Sequence, residues 1–253
     1  MGAMPLPRPV RVLTTGSLLA ALLVVSACSA NGAGTPETPA PARGSAPKTS
    51  PQDAAALGRA LLAAAVANDG PEVRRLLGAG ASPDHRDAQD RPVLVAATRA
   101  NAVEAARELI LAGADVNAKD AISDSAFLHA GAEGLNEILA LTLEHGADVA
   151  STNRYGGTAL IPACERAHVE TVEMLLATRI DVDHVNNLGW TCLLEAVILG
   201  DGGRAHQEVV RMLIEAGADL DIGDSGGTTA LGHALRKQQG AVARLLREAG
   251  AHA

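Results

Sequence analysis

Asn153-Arg154-Tyr155-Gly156-Gly157-Thr158-Ala159-Leu160, followed by Ala163-Cys164, His168 and Met174-Leu175-Leu176, returns 33 residues later as Asn186-Asn187-Leu188-Gly189-Trp190-Thr191-Cys192-Leu193 and Ala196-Val197. A third copy keeps Asp224, Gly227, Thr229-Ala230-Leu231 and Ala234. Outward from this stretch the same beat runs through most of the chain. Gly80-Ala81, Gly113-Ala114 and Gly146-Ala147 lie 33 residues apart. The next slot holds Arg179-Ile180, and Gly217-Ala218 and Gly250-Ala251 follow after a five-residue slip. Alanine keeps step at Ala64, Ala97, Ala130, Ala163, Ala196 and Ala234. Two columns of small residues in one phase predict a helical solenoid, in which each unit buries its apolar face against the next.

Each column has a mechanical reason. Asp87, Asp120, Asn153, Asn186 and Asp224 open turns, because Asx side chains bond their own backbone. Gly156, Gly189 and Gly227 suit positive φ in those turns. Ser125, Thr158, Thr191 and Thr229 are placed to cap the helices that follow. Leu61, Leu94, Phe127, Leu160, Leu193 and Leu231 form an apolar column one turn further in, and the alanine column lets inner helices approach closely. Leu76-Leu77, Leu109-Ile110 and Leu213-Ile214 give outer helices an apolar face, which Gly80, Gly113, Gly146 and Gly217 close as left-handed caps.

The unit resembles the ankyrin repeat, D-x-x-G-x-T-P-L-H-x-A-A-x-x-G-H, over nearly all of residues 53–253. That resemblance implies an all-α ankyrin-repeat solenoid of about six stacked helix pairs, with short β-hairpin fingers, monomeric and used for binding. The family histidine after T-P-L is replaced by Val95, Leu128, Ile161, Leu194 and Gly232, so apolar contact must substitute for its hydrogen bond. His168 and His206 fill the family's other histidine slot, before the outer helix. The first unit lacks a finger and reads as a cap; the last carries polar Arg236, Lys237, Gln238 and Gln239.

The amino terminus is a targeting segment. Arg8 and Arg11 precede a short apolar run, Ser17 to Val25, and Val25-Ser26-Ala27-Cys28 resembles a bacterial lipobox. Residues 1–28 are thus expected to be a lipoprotein signal peptide, with Cys28 carrying the lipid. Ser29 is not a retention aspartate, so the destination is the outer face of the cytoplasmic membrane, or an outer membrane where one exists. Residues 29–52, rich in Pro, Ala, Gly and Ser, read as an unfolded tether.

Formal net charge is -8 and no lysine–arginine run occurs. Phosphate binding needs a basic face, so nucleic acid is excluded as partner. Cys164 and Cys192 are out of phase: Cys192 matches Ala159, five residues before Cys164. If phase-matched residues lie level, the axial offset is ~7.5 Å and neighbouring helices add ~8–10 Å. The sum exceeds the ~7 Å reach of a disulfide, so free buried thiols are expected.

No nucleophile motif, phosphate loop or metal-ligand spacing is present; His129 and His233 share a column but lie three repeats apart. The expectation is a non-enzymatic protein without cofactor or metal ion. One group stands out. Tyr155 and Trp190 are the only Tyr and Trp, in adjacent fingers where the ankyrin pattern demands no aromatic. Arg154, Glu165, Arg166 and Glu195 belong to the same two repeats, and the slip Gly200–Arg204 adds Asp201 and Arg204. Aromatics and arginine dominate binding hot spots, so these eight residues are the candidate partner-binding patch. Two function classes follow: a scaffold binding another protein through its concave face and fingers, or a pocket between repeats four and five for a small polar ligand, peptide or cell-wall fragment.

Overall fold

The computed structural model describes residues 50–253. The proposed lipidation site Cys28 and most of the expected tether lie outside the described residues.

Twelve helices form six pairs among the described residues. The inner layer is α1 (Pro51–Val66), α3 (Val93–Arg99), α5 (Ala126–Glu133), α7 (Leu160–Glu165), α9 (Cys192–Ile198) and α11 (Ala230–Arg236). The outer layer is α2 (Gly70–Gly78), α4 (Val103–Leu111), α6 (Asn136–Glu144), α8 (Val169–Leu176), α10 (Arg204–Glu215) and α12 (Gly240–Glu248). Each inner helix packs on its own outer partner and on the inner helix of the next repeat. The tether boundary needs correction: α1 starts at Pro51, not 53, because Ser50 Oγ accepts the Asp53 amide and a proline is tolerated in the first turn.

The leucine column and Phe127 are buried, as is the alanine column. Val95, Leu128, Ile161 and Leu194, standing where the family has histidine, are buried too, so apolar contact does replace that hydrogen bond.

The fingers are Asx-headed turns rather than β-hairpins. Among the described residues the sole strand-like pairing is an isolated bridge between Arg86 and Pro92. In the finger opened by Asn153, its Oδ1 accepts the amides of Tyr155 and Gly157 at 2.9 and 3.1 Å, and the Asn153 amide donates to the Gly157 carbonyl. Asp87, Asp120, Asn186 and Asp224 repeat this arrangement. A five-residue loop closed this way leaves no room for a ladder. Positive φ falls at Gly156, Gly189 and Gly227, and the same column holds Asp90 and Ser123 in that region.

Two departures mark repeat four. Thr158 does not cap α7, which begins at Leu160 behind Ala159; its Oγ1 is buried without a partner. Ser125, Thr191 and Thr229 do cap, each accepting the amide three residues on. After α8, with Arg179 in the glycine slot, the left-handed cap seen at Gly80, Gly113, Gly146, Gly217 and Gly250 is missing, and Thr178 Oγ1 accepts the Ile180 amide instead.

Cys164 and Cys192 form a disulfide, with alpha carbons 5.6 Å apart, which overturns the expectation of free thiols. Equal phase does not mean equal height in this stack. A Cβ built on Gly131 would stand 2.8 Å from the Cβ of Ala159. Gly131 and Ala159 are the same two columns one repeat earlier. Successive inner helices are offset so that the end of one meets the start of the next, and small residues there permit the approach. The cysteines occupy that recurrent contact.

Candidate functional site

The fourth and fifth repeats enclose a cleft of about 200 Å³ between their fingers and inner helices. Tyr155 and Leu188 wall it from the finger tips, Ile161 and Glu165 come from α7, and Glu195 and Leu199 from α9 and its end. The Asx turn explains the tips: the residue two after the Asx has its amide bonded back, so its side chain is left outside. That column reads Gln89, Ile122, Tyr155, Leu188 and Gly226. Three consecutive tips therefore carry large apolar groups, with exposures of 42% for Ile122 and 55% for both Tyr155 and Leu188. Leu199, at the C-terminal end of α9, is 50% exposed.

Of the eight residues expected to form a patch, Tyr155, Glu165 and Glu195 line the cleft. Arg154 stands on its rim, its guanidinium carbon 4.5 Å from the centre of the Tyr155 ring. The others do different work. Trp190 sits two residues past the tip, aligned with Gly157, and packs half-buried against the core with its amide bonded to Asn186 Oδ1. It covers the finger base. Arg166 bonds the Ala132 carbonyl and the Glu133 carboxylate of the preceding repeat at 2.5 and 2.6 Å, capping α5 rather than pairing with Glu165. Asp201 accepts from the Gly203 amide at 2.7 Å and lies 2.8 Å from His206 Nδ1, while His206 Nε2 reaches the Glu165 carbonyl at 2.9 Å. The Gly200 carbonyl is held by Lys237 and Gln239 of the last repeat. The five-residue slip is thus pinned on both sides and is a brace between repeats. Arg204 begins α10, exposed and off the cleft.

Leu188 and Leu199 are residues sequence reading missed. The signal for Leu188 was present, since it shares the tip column with Tyr155. Leu199 occupies the column of Arg166 and Lys237, whose side chains cap a preceding inner helix. At Leu199 that cation is lost, and His206 takes over the carbonyl at the end of α7.

Glu195 gives the cleft its electrostatic character. It is 6% exposed, and its Oε1 accepts Asn186 Nδ2 at 2.7 Å, tying α9 to its finger as His233 ties α11 to Asp224. Burial, then the charge of Glu165, pushes its pKa from the ordinary 4.5 up to about 7, against the lowering effect of the Asn186 bond. Between those values the folded state keeps a proton that the unfolded state has released. The contribution of this group is therefore fully present below pH 4.5 and is lost as pH rises from there through 7, a loss on the order of 3 kcal/mol. Urea denaturation at pH 4.5, 6 and 8 should show this slope in the wild type, and a shallower one in Glu195→Gln. Parallel slopes would mean that Glu195 is ionised throughout.

Comparison with known proteins agrees with the repeat geometry. A family model described as ankyrin repeats (3 copies) matches residues 126–224. A crystal structure of an ankyrin repeat domain from Acinetobacter baumannii is 52% identical, with 76% of this chain and 98% of that one covered and a TM-score of 0.74. The ankyrin repeat protein EF0377 is 41% identical, covering 75% and 96%, with a TM-score of 0.72. The ankyrin repeat domain of Bcl-3, described as a unique member of the IkappaB protein family, is 27% identical, covering 76% and 86%, with a TM-score of 0.69. No curated protein matches the chain.

Proposed function

Because the chain belongs to the ankyrin-repeat family, whose repeats are general scaffolds for binding other proteins, we propose that it is an exported, membrane-tethered scaffold of the bacterial cell envelope that captures a protein on the concave side of repeats three to five. The observation that carries this reading is the row of exposed apolar tips, Ile122, Tyr155 and Leu188, beside exposed Leu199. Single exposed apolar groups are ordinary, whereas Tyr155, Leu188 and Leu199 line one cleft together, and an apolar patch of that kind marks a contact site. The cleft itself argues against a small-molecule receptor: at about 200 Å³ it falls below the ~300–1,000 Å³ of typical ligand pockets. It suits one side chain of a larger partner. The test is a pull-down from the envelope with wild type beside Tyr155→Ser/Leu188→Ser; a protein held equally by both moves the binding face elsewhere.

Export is supported by the lipobox ending in Cys28 and by the Cys164–Cys192 bridge, since structural disulfides persist in oxidising compartments. A fatty-acid probe fed to cells should label the wild type and not Cys28→Ala. Equal labelling of the two would remove the anchor. Lipidation at Cys28 would keep the repeat domain among its partners in the envelope.

A further inference from the structure

The cleft between repeats four and five joins two features that rarely coincide: apolar walls and an acidic floor. Tyr155, Leu188 and Leu199 form the walls, and Glu165 and Glu195 line the same space from neighbouring inner helices. Among the described residues neither carboxylate pairs with a cation. The nearby arginines are engaged elsewhere, Arg166 with Glu133 and the Ala132 carbonyl, and Arg154 over the Tyr155 ring. On other inner helices a cation does reach an acid or a helix end: Arg99 binds Asp120, and Lys237 caps the end of α9. A buried acid beside a second acid is costly unless a counter-charge arrives, and the whole chain, at -8, attracts cations toward the surface.

We propose, resting on the reading of this face as a protein-binding surface, that the cleft receives a lysine or arginine side chain of a partner segment, whose flanking apolar residues lie on Tyr155, Leu188 and Leu199. The stem of such a side chain is aliphatic and its head charged. It matches, along its own length, apolar walls leading to an acidic floor. Arg154 on the rim stacks against Tyr155 and selects against a second cation at the mouth, so the partner segment carries one basic residue between apolar neighbours rather than a basic run. The Asn186 bond holds Glu195 in place before the partner arrives, which lowers the ordering cost of binding.

A displayed random heptapeptide library panned against the full chain tests this. The expected product is a consensus with one Lys or Arg flanked by apolar residues. A synthetic peptide of that consensus should lose at least tenfold in affinity when the basic residue becomes norleucine, and similarly against Glu165→Gln/Glu195→Gln. The substituted side chains retain the shape, and the amide oxygen that Glu195→Gln introduces can still accept from Asn186; circular dichroism checks the fold. A consensus that is neutral or acidic, or no enrichment at all, overturns the proposal. Peptides that bind the double Gln variant as well as wild type, yet lose binding to Tyr155→Ser/Leu188→Ser, overturn the cationic occupant while leaving the protein-binding face intact. Peptides indifferent to both variants overturn both readings.

Discussion

Reducing the Cys164–Cys192 bridge is expected to lower the stability of the repeat domain by about 3.5 kcal/mol, the value for closing a loop of this length in the unfolded chain. The bridged residues are 28 apart in sequence, and the chain-entropy scale runs from ~3 kcal/mol for 15-residue loops to ~4.7 for 100. For a domain of this size the loss corresponds to a fall in Tm of about 7–14 °C. Cys164→Ala/Cys192→Ala is the cleaner comparison, because alanine keeps both Cβ atoms of the bridged pair and removes only the sulfurs. The variant should fold, melt low, and be insensitive to reductant, whereas the wild type should approach it on reduction. Thiol titration of denatured, unreduced protein lacking Cys28 should find nothing to label. Two titratable thiols there would mean that the end of α7 does not meet the start of α9. The consequence reaches the cleft, since Cys164 adjoins Glu165 and Cys192 opens the helix that bears Glu195. Losing the bridge should therefore weaken partner binding as well as stability.

That bridge also shows where sequence reading ran out. Phase along a chain fixes which residues are equivalent, so the Asx heads, the leucine and alanine columns and the glycine caps could all be placed before any coordinates. Phase does not fix how one repeat is displaced on the next. The displacement arises from packing, from Gly131 lying against Ala159, and it turned two cysteines judged too distant into neighbours. The same limit governs the patch. Tyr155, Glu165 and Glu195 line one cleft because they share two adjacent repeats and one face. Arg166 lies outside the cleft because it joins the preceding repeat at the Ala132 carbonyl, and Asp201 because it steadies His206, whose other ring nitrogen reaches the Glu165 carbonyl across the repeat boundary. Trp190 stands out by rarity and by its place in a finger where the repeat demands no aromatic. A register two residues past the tip decides its role, and that register could have been read from the Asx column.

Replacing Tyr155 and Leu188 together by alanine should reduce affinity for a concave-face partner by about 3–4 kcal/mol, a few hundred-fold, with little change in melting temperature. Both side chains are 55% exposed, so the folded domain gives up little by losing them. Bound to a partner they would be desolvated against it; a central aromatic anchor such as Tyr155 is worth ~2 kcal/mol or more, and full burial of a leucine side chain adds ~1.5–3 kcal/mol. The turn that carries them is held by Asn153 and Asn186 through backbone amides, which alanine keeps. Trp190→Ala should do the reverse. Its ring packs on the core, so truncation should cost about 3 kcal/mol or somewhat less of stability, while the folded fraction binds nearly as well as wild type. Measuring melts and affinities on both variants separates a surface that binds from a side chain that covers. If Trp190→Ala lost affinity at unchanged stability and the double variant did not, the contact would lie at the finger base, and the row of tips from Ile122 to Leu188 would have no part in it.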